Sequence, residues 1–154
     1  MLGSTSIYFH QDSNTLLAKW AFVYNLLSAK GYSVAEIMIY KKAYEYFCQN
    51  PSQYDGATIV KDLVDIPGLD LDAMLHDYHY IVFNAGANFA TKFKVDWLFA
   101  KGTERKGKGL YSAYSRFIGL TITSVGFVPY AFIKRGKTIN KTEINNHYKT
   151  LLTP

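Results

Sequence analysis

The 154-residue chain carries one cysteine, Cys48. No internal disulfide can form, so a small oxidised scaffold and a thiolate-rich metal site are both excluded, and a reducing cytoplasm fits. A Gly-rich phosphate loop, a Gly-x-Ser-x-Gly turn, paired Cys-x-x-Cys units and internal repeats are all lacking, which removes the common nucleotide-binding, serine-hydrolase and zinc-finger readings. Met1 to His10 lack the basic start and apolar stretch of a signal peptide, so export by that route is not expected. Acids are scarce in the last third. Residues 101–154 hold ten Lys/Arg against two Asp/Glu, whereas residues 1–100 hold seven against ten, giving −3 followed by +8. Such a basic tail fits an anionic partner, whether nucleic acid, phospholipid or an acidic protein face, and it equally fits plain solubility.

Long apolar runs are also few. Phe117 to Ile133 is uncharged over 17 residues, the short limit for crossing a bilayer. Gly119, Thr121, Thr123, Ser124, Gly126 and Pro129 dilute it, which favours a buried helix ending near Gly126 and then an extended piece. What the chain has in quantity is aromatic side chains: thirteen Tyr, ten Phe and two Trp, within a 49% apolar composition. At this length such a composition builds one hydrophobic core without metal or disulfide. The aromatics could stack single-stranded nucleic acid, but their helical periodicity places them first in a core, with a share left for burial against copies or partners.

Leu16, Leu17, Trp20, Val23, Tyr24 and Leu27 recur at helical spacing between Ser13 and Lys30, with Asp12 or Ser13 as cap and Gly31 beyond the end. Ser33 and Glu36 form a capping box ahead of Ile37, Tyr40, Tyr44 and Phe47, and that helix stops at Asn50-Pro51. These two make a hairpin. Residues 52–68 read as irregular connection, with a short extended piece at Ala57 to Val60. A third helix is expected from Asp70 to Asn84, closing at Gly86, and a fourth from Asn88 or Thr91 to Lys101, closing at Gly102. The short link between them predicts an antiparallel pair. Gly102 to Gly109 reads as a flexible solvated loop separating body from tail. A last helix from Thr142 groups Ile144, Tyr148 and Leu151 on one side, to dock on this protein or a partner.

One group of residues carries chemistry. On the third helix Leu69, Asp72, Ala73, His76, Tyr80 and Phe83 stack at intervals of three and four. On the fourth, Phe89, Phe93, Asp96, Trp97 and Ala100 form the matching stripe, which puts an acid where a core residue is expected. Asp96 facing His76 would fix the imidazole tautomer and leave the other nitrogen as a general base. A hydrogen-bonded pair that merely ties two helices together fits the same pattern. Asp77, about 100° around the helix, could bind a hard cation. His76 and His79 with Asp72 make a further, incomplete ligand set for a transition metal. Asp62, Asp65, Asp70, Asp72 and Asp77 could together concentrate calcium, but no EF-hand pattern is present and most of them read as helix caps and solvated acids.

His76-Asp77-Tyr78-His79-Tyr80, followed about 20 residues later by the inward Asp96, resembles phospholipase A2. The likeness is to the disulfide-free modules of parvovirus capsid proteins and to small phage proteins with a His-Asp-Tyr-x-Tyr helix, and it covers Asp65 to Lys101. It implies His76 as the base that activates water, Asp96 as its partner, Tyr80 as a supporting tyrosine, and Asp77 with the Gly68 turn as the calcium site. Such enzymes use a Gly-rich loop for calcium and the oxyanion. The segment here, Asp65-Ile66-Pro67-Gly68-Leu69, has one glycine.

The expected architecture is therefore mainly α: a helix hairpin and a two-helix phospholipase A2-like core in a helical domain over 1–133, with a basic extension over 134–154. The first functional expectation is a phage-type virion or assembly component of the neck, tail or ring, found in the virion or host cytoplasm. It would bind neighbouring proteins and copies of itself, with phospholipid or nucleic acid as further partners of the tail. The alternative is a calcium-dependent lipid or ester hydrolase using the His76–Asp96 dyad.

Overall fold

A computed structural model describes residues 7–54, 66–107, 109–126 and 138–152. Within them the chain is mainly helical: α1 (Ser13–Ala29), α2 (Val34–Gln49), α3 (Leu71–Val82), α4 (Phe89–Arg105), α5 (Gly109–Gly126) and α6 (Lys141–Leu152). The described residues contain no strand beyond one isolated bridge, Ile66 to Leu69. That bridge closes a tight turn in which Pro67 presets its own φ and Gly68 takes φ 83°, the left-handed position such a turn demands. The expected extended piece at Ala57 to Val60, together with Asp62 and Asp65, lies outside the described residues.

The caps form as their side chains dictate. Asp12 accepts from the Thr15 N–H to start α1, and Ser33 and Glu36 exchange both bonds of a capping box on α2. Gly31, at φ 81°, ends α1. The α1–α2 hairpin then closes around buried Leu16, Val23, Leu27, Ile37, Tyr44 and Phe47. Tyr44 donates its hydroxyl hydrogen to the Leu16 carbonyl at 2.9 Å, so the bond between the Tyr8 and Tyr44 hydroxyls, 3.2 Å long, must be donated by Tyr8.

Two boundaries differ from expectation. Helix α3 stops at Val82 because Asn84, not Gly86, takes the left-handed conformation (φ 53°), one of the few non-glycine residues that tolerates it. Gly86 instead lets backbone approach the Tyr80 ring: a Cβ there would meet Tyr80 Cε1 at 2.9 Å. Helix α4 runs straight through Gly102 to Arg105, and the expected solvated loop is mostly helix, with Thr103 fully buried. Gly107, at φ 73°, supplies the turn that Gly102 was expected to make.

Helices α3 and α4 are antiparallel, since Asp72 lies by Gly102, His76 by Phe99 and Asp96, and Tyr80 by Asp96. The inward stripe of α4 is Thr91, Val95, Asp96, Phe99 and Thr103; Phe89 and Phe93, expected inside, are exposed. Helix α5 begins at Gly109 and ends at Gly126. No described helix is long and apolar enough to cross a membrane. Helix α6 docks on the protein's own body, burying Ile144 completely in the main core, while Lys94 donates to Asn145 at 2.6 Å.

Candidate functional site

One oxygen of Asp96 is a shared acceptor. His76 Nε2 lies 3.0 Å from Asp96 Oδ1, and the Tyr80 hydroxyl donates to the same atom at 2.9 Å. The other oxygen accepts from Lys92 Nζ, which also donates to the Leu120 carbonyl on α5 at 3.2 Å. The Asp96 side chain is fully buried, while 14% of the His76 side chain remains exposed. The Tyr80 ring stacks on the imidazole at 4.5 Å, and Phe99 packs on it at 5.3 Å. His76, Tyr80 and Asp96 therefore meet as the sequence suggests, and both rings have little freedom to turn.

Because the Asp96 carboxylate can only accept, it selects the neutral tautomer with hydrogen on Nε2 and the lone pair on Nδ1. Nδ1 is then the basic atom. Its neighbour is Asp77 Oδ1 at 3.6 Å, longer than a hydrogen bond. Burial alone would pull the His76 pKa down, but the carboxylate of Asp77 beside Nδ1 and the hydrogen-bonded carboxylate of Asp96 outweigh it and hold it above the ordinary 6.5. Burial pushes Asp96 up, yet His76 and then Lys92 prevail and keep it below 3.8. Stabilisation by imidazolium is thus complete below pH 6.5 and lost as pH rises through the raised His76 value. The Asp96 contribution is present above its ordinary value and lost as pH falls through the depressed one. Imidazole NMR should show His76 titrating above 6.5, and His76→Gln should remove the alkaline decline in urea-unfolding stability.

Lys92 was not singled out from sequence, although its position four residues before Asp96 on one helix was a usable signal. His147 was also missed. It follows Ile144 by three residues on the docking face of α6, and its Nδ1 lies 2.9 Å from Nε2 of buried His79. Glu143 stands 3.6 Å from its other nitrogen. Burial first, then the neighbouring imidazoles, push His79 well below 6.5, and burial pushes His147 down to about 4. Two buried neutral bases destabilise the fold in acid, because the unfolded chain binds protons that the folded one does not. Stability should therefore rise with pH from about 4 to 6.5, with a flatter profile in His147→Leu, measured by urea unfolding across that window.

His79 turned toward His147 cannot join His76 and Asp72 around a metal. Asp72 faces away as well, accepting from Tyr40 at 2.8 Å and pairing with Lys106 at 3.0 Å. Asp70 caps α3 and pairs with Lys106 and Arg116 at 2.8 and 3.1 Å. These two acids, expected as a cap and solvated acids, are both inside a buried ion cluster. Among the described residues no three His, Cys, Asp or Glu side chains converge on a metal position. Toward calcium, with its six to eight oxygen ligands, the site's side chains offer Asp77 alone, and Gly68 stands in the turn before α3. Comparison with family models, curated proteins and solved structures finds no match for this chain.

Proposed function

We propose that the chain is a phospholipase A2-like lipid or ester hydrolase in which His76 activates water. The observation that carries this reading is the Asp96 Oδ1 atom accepting from both His76 and Tyr80, which orients the ring and leaves its lone pair on Nδ1. In the reaction His76 Nδ1 takes a proton from water while the oxygen attacks the carbonyl carbon of the ester. Asp96 offsets the imidazolium charge, and Tyr80 keeps the carboxylate from turning. The carbon–oxygen bond to the alcohol then breaks, and the leaving oxygen takes the proton from His76. The test is hydrolysis of a short-chain phospholipid ester, with and without added calcium. His76→Asn should lower turnover by about 10²- to 10⁴-fold, and a wild-type protein without turnover in either condition would overturn the reading.

A second reading, an assembly component of a phage-type particle, is favoured by the outer surface of α1 and α2. Leu17, Phe22, Val34 and Met38 are exposed there, and apolar side chains on a hairpin surface suit protein neighbours. Light scattering behind size exclusion tests it: a self-associating chain that becomes monomeric in Leu17→Ser/Phe22→Ser supports it, and a wild-type monomer at every concentration retires self-assembly.

A further inference from the structure

We propose that a second copy of this chain docks on the outer face of the α4–α5 hairpin, about a twofold axis. The two helices are antiparallel, and their seam carries a continuous aromatic ladder. Phe89 meets Phe93 at 6.4 Å, Phe93 meets Phe117 at 5.0 Å, Phe117 meets Trp97 at 5.3 Å, and Trp97 meets Tyr114 at 6.0 Å. Phe89, Phe93, Leu110, Tyr111, Tyr114 and Ile118 are exposed there, Tyr111 to 88%. Tyr111, Tyr114 and Ile118 recur at intervals of three and four, so they form one stripe along α5. The four exposed rings alone offer about 500 Å² of apolar surface, before the two aliphatic side chains are added, and a standard interface buries about 800 Å² per partner. Between Trp97 and Tyr114 lies a notch floored by buried Ala100 and Ala113, with Leu110, Lys101 and Glu104 around it.

Charge selects the occupant. Among the described residues this face carries Lys101, whose ammonium lies 5.4 Å from the centre of the Trp97 ring, and Glu104, paired with it at 2.7 Å. Arg116, the single charged residue of α5, is buried against Asp70, while Arg105 and Lys106 turn to Glu36 and to Asp70 with Asp72. The face is therefore balanced, one cation with one anion, and both side chains remain more than a third exposed. An anionic lipid surface or a nucleic-acid backbone is held by an excess of cations, which these residues do not present. A second copy needs no excess. About a twofold axis residue i meets j while j meets i, so Lys101 of each copy can face the partner's Glu104, and no charge is left unmatched. The same axis takes Tyr111 of each copy toward the notch of the other, since Leu110 and Tyr114, close to it in sequence, border that notch. An apolar centre with few charges is the composition of a homodimer interface, and two such hairpins face to face make a four-helix bundle.

This contact stands whether or not His76 hydrolyses an ester, and it lies on a different face from Leu17 and Phe22, so the two surfaces are tested separately. Light scattering behind size exclusion of the full chain should show a dimer that Leu17→Ser/Phe22→Ser leaves in place. In Tyr111→Ser/Ile118→Ser its dissociation constant should rise at least about tenfold. Both side chains are exposed, so this variant should keep its circular dichroism and melting temperature. The charge pairing has a test of its own. Lys101→Glu and Glu104→Lys should each weaken the dimer about tenfold when alone, by setting like charge against like, whereas an equimolar mixture of the two should associate about as tightly as the wild type. A pair that acts only within one chain gives no such rescue. A wild type that stays monomeric at every concentration, whether or not it floats with vesicles or binds oligothymidine, would overturn the proposal. So would a dimer that the folded Tyr111→Ser/Ile118→Ser leaves intact, or a mixture of the charge variants no tighter than either alone.

Discussion

Asp96→Ala should unfold at a free energy about 3 to 5 kcal/mol lower than the wild type. The substitution removes the acceptor of three donors at once: the imidazole Nε2–H, the Tyr80 hydroxyl and the Lys92 ammonium. Lys92 keeps the Leu120 carbonyl and the face of the Tyr80 ring, neither of which carries a full negative charge, and only 13% of its side chain is exposed. An almost buried ammonium without its carboxylate is the costliest of the three losses, because a charge in low dielectric needs a counter-charge. Asp96→Asn retains an acceptor for His76 and Tyr80 but turns an amide NH₂ toward Lys92, so it should lie between the two. The His76 pKa should fall in both variants, since the charge that favours imidazolium is gone. Urea unfolding with an unchanged slope measures the first effect, and imidazole NMR the second. A loss below about 1 kcal/mol in Asp96→Ala would mean that the carboxylate is not the hub of this interface. Combining it with Tyr80→Phe should cost less than the two single changes together, because both remove the same bond.

The elements that sequence reads well are those whose signals are local. Asp12, Ser33 with Glu36, and Gly31 each act within a few residues, so α1 and α2 begin and end where their caps place them. The His76–Asp96 pair was legible for a different reason: a carboxylate on a core-facing stripe demands a partner, and the neighbouring helix offered one. The parts that were not legible depend on separation in the chain. Asp70 and Asp72 resemble ordinary first-turn acids until α4 and α5 deliver Lys106 and Arg116 against them. His147 resembles any polar residue of a terminal helix until α6 brings it against His79, 68 residues earlier. The stripe of α4 was rotated, because Phe89 and Phe93 were assigned inward on hydrophobicity alone. The helix in fact turns Thr91 and Val95 to the core and leaves those two rings outside, where apolar character says nothing about direction. Glycine read as a terminator holds at Gly31 and Gly126 but misleads at Gly86 and Gly102, where its use is close approach to a neighbouring side chain.

Gly102→Ala brings that last point to a measurement. On intrinsic preference the change should help, since alanine is favoured over glycine inside a helix by about 1 kcal/mol. The structure requires the opposite sign. A methyl at this position would overlap the Asp72 carboxylate, 2.7 Å from Oδ2 and closer still to Oδ1. That carboxylate cannot give way freely, because Tyr40 donates to it at 2.8 Å and Lys106 pairs with it at 3.0 Å. Either α4 moves off α3, which also strains the Asp96 site one and a half turns earlier, or the buried ion cluster opens. Overpacking costs about 1 to 3 kcal/mol and disruption of a buried pair more, so the net loss should reach about 3 kcal/mol despite the gain in propensity. Gly107→Ala is the control. It has open space around it but φ 73°, so it should cost about 1 kcal/mol through backbone conformation alone. Asp72→Ala removes the obstacle, so adding Gly102→Ala to it should cost far less than on the wild type, a coupling that thermal unfolding of the four proteins reads directly. A Gly102→Ala chain as stable as the wild type would mean that α4 does not cross α3 at this distance.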